Sequence, residues 1–267
     1  MPEQVARVVL PDRALLASLA EVVQLKLAAA GDGWSPRLRR RFGYHTPDEV
    51  FEATMNCLVR PGIEWLDVGC GEHLMPANPV LGPVLARRAG RLAGVDPSDN
   101  ILLNPLLDER FHGALEDYAP DRPFDLVSLR MVAEHVTDPA SFVAALARAT
   151  RPGGLVVVYT VFRWSPASVV ADLTPFRLHH AAKRWLWEVE EERHTFPTAY
   201  KLNTRRALAG AFGTAGFEEA AFRYLDDCRS LARWKAGCVA ELGLWRALRA
   251  VGLRYPEGCI LGLYRRV

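Results

Sequence analysis

At 267 residues, 50% of them hydrophobic and 24% charged, the chain can bury one substantial core without dividing into two domains. Its formal net charge of +2 is spread along the sequence, gives no reason to expect nucleic acid or an anionic membrane as a partner, and points to a small molecule instead. The five cysteines (Cys57, Cys70, Cys228, Cys238 and Cys259) fall at neither metal-ligand nor redox spacing, and there is no basic leader or run of eighteen apolar residues, so a cytoplasmic protein with reduced thiols is expected.

From Asp12 to about Ala30 the residues Leu15, Leu16, Leu19, Val22, Val23 and Leu27 recur at helical spacing, which predicts a helix packed on its neighbours. Thr46-Pro47-Asp48-Glu49 is a capping box with proline at the first helical position, and Arg60-Pro61-Gly62 stops that second helix. Strand signals follow at Trp65–Gly69, Leu92–Asp96, Phe124–Leu129 and Gly154–Tyr159. Short apolar runs alternating with helices mark parallel strands covered on both faces, so the fold class is α/β, a doubly wound and mostly parallel sheet. Asp138-Pro139 caps a helix carrying Phe142, Val143 and Leu146, and Arg151-Pro152-Gly153-Gly154 turns the chain back into the sheet.

About forty residues then pass before the next sheet-packing helix, near Thr204 to Gly216, which is too long for an ordinary connection and predicts a helical lid. A strand over Phe217–Leu225, an amphipathic helix over Ser230–Gly252 with Leu231, Trp234, Cys238, Leu242 and Trp245 on one stripe, and a last strand over Cys259–Tyr264 complete the chain. The expected organisation is one domain: N-terminal helices over 1–60, a cofactor-binding core over 61–160, a lid insertion over 161–203, and completion of the sheet over 204–267.

The most informative stretch is Asp67-Val68-Gly69-Cys70-Gly71, a strand ending in glycines. Glycines let the backbone approach a ligand, and open α/β sheets bind cofactors in the crevice at the carboxyl ends of their strands. Asp96 ends the next strand, where a carboxylate can accept both hydroxyls of a ribose. Glu116, the Phe124–Val127 run and Arg151–Gly154 follow in a consistent order.

Over roughly Arg60 to Tyr159 this series resembles the class I S-adenosylmethionine-dependent methyltransferases, a Rossmann-like family. The resemblance implies S-adenosylmethionine as cofactor, with Gly69, Cys70 and Gly71 under its methionine part and Asp67 beneath them. It places Asp96 on the ribose, Pro97 and Ile101 along the adenine, Leu115 and Glu116 at the adenine edge, and Arg130 beside the methionine tail. Two departures stand out: His73 occupies the third glycine position, and 29 residues separate Asp67 from Asp96, against roughly 20 in dinucleotide-binding turns. The loop over Glu72–Asn78 is therefore expected to be enlarged, and a nicotinamide enzyme is disfavoured because its three-glycine fingerprint serves a pyrophosphate that S-adenosylmethionine lacks.

Methyl transfer needs alignment of the acceptor more than a protein nucleophile, with a general base where the acceptor is a hydroxyl or an ammonium. His135, His179, His180 and His194 are the histidine candidates, of which His135 is preferred, and each has a surface or capping role as its plainer reading. Tyr44 is the aromatic expected near the sulfonium, with Trp164 and Tyr200 flanking the insertion. Met131-Val132-Ala133-Glu134-His135 partly resembles the Glu-x-x-Glu-His of some quinone-precursor O-methyltransferases, but methionine replaces a hard oxygen ligand, so no metal is expected. Arg37, Arg39, Arg40 and Arg41 form the densest basic cluster, read first as a solvated face. The expected activity is methyl transfer to a small-molecule acceptor, with a homodimer possible. Cofactor-consuming chemistry that releases methylthioadenosine stays open as the alternative, since cofactor motifs do not say which S–C bond breaks.

Overall fold

The structure is a computed structural model and describes residues 12–30, 34–166, 168–169 and 197–267. Three helices come first, α1 (Asp12–Ala30), α2 (Trp34–Phe42) and α3 (Pro47–Leu58). They are followed by β1 (Glu64–Val68), α4 (Leu81–Arg88), β2 (Arg91–Asp96), β3 (Glu109–His112), β4 (Phe124–Arg130), α5 (Pro139–Ala149) and β5 (Thr150–Val161). Beyond the insertion lie α6 (Arg205–Thr214), β6 (Phe217–Asp226), α7 (Lys235–Ala250) and β7 (Glu257–Arg266).

Local chemistry sets the helix starts as expected. Thr46 Oγ1 accepts the Glu49 N–H at 3.3 Å while Glu49 accepts the Thr46 N–H at 3.0 Å, so the capping box of α3 is closed in both directions. Asp138 Oδ1 accepts the N–H groups of Ala140 and Ser141 at the start of α5.

The strands form one seven-stranded sheet in the order β3-β2-β1-β4-β5-β7-β6. The first five are parallel, and β7 runs antiparallel between β5 and β6. The sheet reverses its order between β1 and β4, the place where an open α/β sheet leaves a crevice at the carboxyl ends. Side chains alternate across it: Trp65, Leu126, Val157 and Tyr159 pack into the core under α1, α3 and α4. Leu66, Val68, Val127 and Val158 pack on the other side with Phe142, Leu146, Leu208 and Phe212 of α5 and α6. Among the described residues no helix is long and apolar enough to cross a membrane.

The Arg37–Arg41 cluster lies on α2, a helix with no buried residue, in keeping with a solvated helix face. Two other features go beyond or change the sequence reading. Strand β3 has no apolar signature, because it forms the outer edge of the sheet and its side chains are exposed or half-buried. Helix α7 begins at Lys235, so Leu231 and Trp234 fall in the irregular stretch before it and are exposed, while Cys238, Leu242 and Trp245 are buried. His179, His180 and His194, with most of the expected lid, lie outside the described residues.

Candidate active site

The chain leaves β1 at Val68 and turns through Gly69 and Gly71, both at positive φ (71° and 47°). A Cβ on Gly69 would stand 2.3 Å from Val132 Cγ2, so the turn and the end of β4 press together there. Gly71 faces open space, with nothing within 4 Å of where its Cβ would be. The backbone at Gly71 is thus bare toward the crevice, as a cradle for a ligand requires. Cys70 points the other way: its buried sulfur lies where only the missing side chain of Gly94 leaves room, 2.6 Å from that glycine's would-be Cβ. Burial pushes the Cys70 thiol above its usual range, so it packs rather than reacts.

Asp96, at the end of β2, is 7% exposed. Its Oδ2 accepts the Gly71 N–H at 2.9 Å and its Oδ1 accepts the Ser98 N–H at 2.8 Å. A carboxylate has about four lone-pair positions, so each oxygen keeps one for an incoming hydroxyl. Asn104 donates to the Gly71 carbonyl at 3.1 Å, tying the turn to the short helical stretch after β2. This geometry fits an adenosyl group with a free ribose diol and an amino-acid tail over the glycine turn.

Asp67 does not touch that turn through a hydrogen bond. Its carboxylate accepts the Ser128 hydroxyl at 2.5 Å, and Ser128 in turn accepts the Trp65 indole N–H at 2.7 Å. Burial pushes Asp67 up to about 7, against the lowering by Ser128 and then by the nearby charge of Arg130. Arg130 therefore stands at the end of β4 among acidic groups, where it also favours the charged form of Glu134.

The remaining cofactor candidates are placed as follows. Pro97 is exposed, and its carbonyl faces His112 Nε2 at 3.1 Å. Ile101 is fully buried in the core, while Leu102 and Leu103 beside it are 61% and 63% exposed. The short helical turn Leu115–Asp117 buries Leu115 and leaves Glu116 half-buried, its carbonyl accepting from Arg148 at 2.9 Å. His73 is largely exposed 3.8 Å from Glu72, while Leu74 and Met75 after it are buried in the core.

The ends of β4 and β5 carry the rest of the rim. Met131 takes φ 54°, a strained value for a residue with a side chain, and its N–H donates to the Tyr159 carbonyl at 2.8 Å. Buried Glu134 accepts the Thr160 hydroxyl at 2.6 Å, and Asn203 donates to the same Thr160 oxygen at 2.9 Å. The Glu134 carbonyl accepts from Ala199 and Tyr200, which holds the far end of the insertion against the rim. His135 Nδ1 donates to the Pro197 carbonyl at 3.2 Å, which in the neutral ring makes Nε2 the basic nitrogen. Across β5, the Tyr159 hydroxyl donates to Asp48 at 3.2 Å, and Arg229 bridges Asp48 and Asp227 at 2.6 Å each.

Tyr44 is not part of this rim in the way expected of a sulfonium-facing ring. It is 3% exposed, edge-on to Trp245, and its hydroxyl both donates to the Asp226 carbonyl and accepts the Cys228 N–H at 2.9 Å. Both capacities of the hydroxyl are used, and the ring joins α3's leading turn to α7. Trp164 is 66% exposed, and both it and Tyr200 flank the Arg163 guanidinium. The sequence alone assigns no role to Ser128 or Arg229, and presents Asp48 only within a capping box and Met131 only as a replaced metal ligand, because their roles here come from pairing across distant strands and helices.

The family model described as "Methyltransferase domain" matches residues 40–220. A ubiquinone biosynthesis O-methyltransferase of Bradyrhizobium sp. is 36% identical over 158 residues, covering 56% of this chain and 57% of the relative. A protein of the same name from Leptothrix cholodnii is 29% identical over 197 residues, covering 63% of this chain and 78% of the relative. The chain spans about half the length of most of the curated relatives it matches. Among solved structures, a mycolic acid cyclopropane synthase complexed with SAH and CTAB superposes with a TM-score of 0.51 at 14% identity, over 92% of this chain and 94% of the other. That likeness is one of fold.

Proposed function

Given that this chain belongs to the class I S-adenosylmethionine-dependent methyltransferase family, we propose that it moves the methyl group of that cofactor to a small-molecule acceptor. The observation that carries this reading is the Asp96 carboxylate, held by the N–H groups of Gly71 and Ser98 at the point where the strand order reverses. Its remaining lone pairs suit the two hydroxyls of a ribose, and the bare backbone of Gly71 admits the amino-acid tail.

When bound, the cofactor supplies a methyl group already activated by its sulfonium. The protein's work is then to position the acceptor and to manage its proton. Asp96 and the Gly69–Gly71 turn are the groups we assign to the cofactor, and the rim carrying Met131 and His135 is the one we assign to the acceptor. His135, on the rim with its Nδ1 donating to the Pro197 carbonyl, is the base we propose for a hydroxyl acceptor. The O-methyltransferase names of the relatives agree with an oxygen nucleophile.

Calorimetric titration with S-adenosylmethionine, followed by mass spectrometry of the adenosine product, tests this. Micromolar binding, with S-adenosylhomocysteine appearing once an acceptor-containing extract is added, is expected. Methylthioadenosine above the spontaneous background would overturn methyl transfer, and absence of binding would overturn the cofactor site.

A further inference from the structure

Helix α2 packs on α7 by laying half-buried Leu38 and Phe42 against Cys238, Leu242 and Trp245. That contact sets Arg40 and Arg41 beside Arg246 and Arg249 around a cavity of about 430 Å³, whose remaining lining is Phe42, Gly43 and Trp245. No acidic residue lines it, and among the described residues none of the four guanidiniums forms an ion pair. Arg249 stands over the Trp245 ring at 4.9 Å, and the carboxylate it attracts, Asp226, already accepts the Trp245 indole N–H at 2.9 Å. Like charges gathered without a counter-ion repel one another, and guanidinium forks match the oxygens of a phosphate or carboxylate.

Gly43, Trp245 and Arg249 also border a larger groove of about 930 Å³, so the two spaces are contiguous. The groove follows β6, the outer strand of the sheet, from Asp226 back to Phe222, roughly 13 Å at strand spacing. Leu15, Leu16 and Leu19 of α1, Leu225 of β6 and Leu253 beyond α7 line it, and Leu16 and Leu253 are largely exposed. The charged side chains along it are paired: Arg223 with Asp12 at 2.6 Å, Arg254 with Glu257 at 3.3 Å, and Arg205 with Glu219 at 2.6 Å. Apolar surface thus runs along the groove, and uncompensated positive charge collects at its Trp245 end. Both volumes fall in the range of small-molecule sites.

We propose that α2, α7 and the β6 edge form a binding site for an anionic amphiphile. Its phosphate or carboxylate head is held by Arg40, Arg41, Arg246 and Arg249, and its hydrocarbon chain lies along Leu15, Leu16, Leu19 and Leu225. Neither the groups assigned to the cofactor nor Met131 and His135 line either space, so the site is separate from the cofactor crevice and stands independently of the cofactor reading.

Calorimetric titration of the full chain with decyl phosphate below its micelle concentration tests this. Saturable binding of one molecule per chain is expected, at least tenfold tighter than inorganic phosphate, with no binding of decyltrimethylammonium, which has the same chain and the opposite charge. Arg246→Gln combined with Arg249→Gln should weaken decyl phosphate at least tenfold by removing two charge-assisted contacts. Leu16→Asp on α1 should weaken it at least fivefold while leaving inorganic phosphate within twofold. These variants change exposed side chains on separate elements, so either carries the test should the other fail to fold, and S-adenosylhomocysteine affinity should stay within twofold in both. Decyl phosphate bound no more tightly than inorganic phosphate, equal binding of the cationic amphiphile, or affinity unchanged in the variants overturns the inference. So does sedimentation with phosphatidylglycerol vesicles in the absence of saturable decyl phosphate binding, which would make the arginines a membrane-contact face.

Discussion

Ser128 stands opposite Asp67 in the parallel pairing of β1 and β4, and its hydroxyl donates to the Asp67 carboxylate at 2.5 Å. Because Ser128 also accepts from the buried Trp65 indole at 2.7 Å, one hydroxyl satisfies two buried groups. Ser128→Ala would leave both unsatisfied, at roughly 1–3 kcal/mol each. The expected result in thermal unfolding is a midpoint lowered by about 5–10 °C for a chain of this size. A midpoint within about 2 °C of the wild type would mean the trio adds nothing to stability.

Burial raises two carboxyls into the neutral range, Asp67 from 3.8 to about 7 and Glu52 from 4.5 to about 7. Between pH ~4 and ~7 the folded state keeps protons that the unfolded chain releases, so their joint contribution to stability falls as pH rises through that window and is level above it. Each is worth about 3–4 kcal/mol at most. Glu49 and Glu109 are lowered instead, so they act in the opposite sense and only below their usual range. Urea unfolding at pH 5.5 and pH 8 should show a smaller loss at the higher pH for Asp67→Asn and for Glu52→Gln than for the wild type. Equal losses in all three would place these carboxyls in the ordinary range.

Gly69 is required twice over, by its φ of 71° and by Val132 Cγ2, 2.3 Å from any added Cβ. Gly69→Ala should weaken S-adenosylhomocysteine binding at least tenfold in calorimetry. Adding Val132→Ala removes the clash but not the left-handed strain of about 1–2 kcal/mol, so the double variant should recover affinity only in part. Full recovery would show that backbone conformation is unimportant there.

Asp96→Asn keeps the size of the side chain but exchanges one acceptor oxygen for a donor, which then faces the Gly71 or Ser98 N–H. Losing charged hydrogen bonds of about 1.5–3 kcal/mol predicts a ten- to hundredfold drop in affinity for S-adenosylhomocysteine. Unchanged affinity would remove Asp96 from the ribose site.

Tyr44→Phe separates packing from catalysis. Its hydroxyl joins Asp226 and Cys228, so the variant should lose about 1–3 kcal/mol of stability while kcat stays within about twofold. A fall in kcat with no change in unfolding would restore Tyr44 to the reaction.

The amino-acid sequence by itself determined what is local. The capping box at Thr46–Glu49, the turn glycines, and the apolar runs of β1, β2, β4 and β5 each act within a few residues, so hydrophobic period and turn chemistry made the α/β sheet and the Asp67–Asp96 motif legible. Only the tertiary structure decided what depends on partners distant in the chain. It set Ser128 beneath Asp67 across 61 residues, turned Ile101 and Cys70 into the core, and put Tyr44 against residues more than 180 positions away. It also buried Glu52 beside Asn78. The reason is physical: a side chain's propensity and pattern are properties of its neighbours in sequence. Its burial, its hydrogen-bond partners and its charge state are properties of whichever groups the folded sheet brings against it.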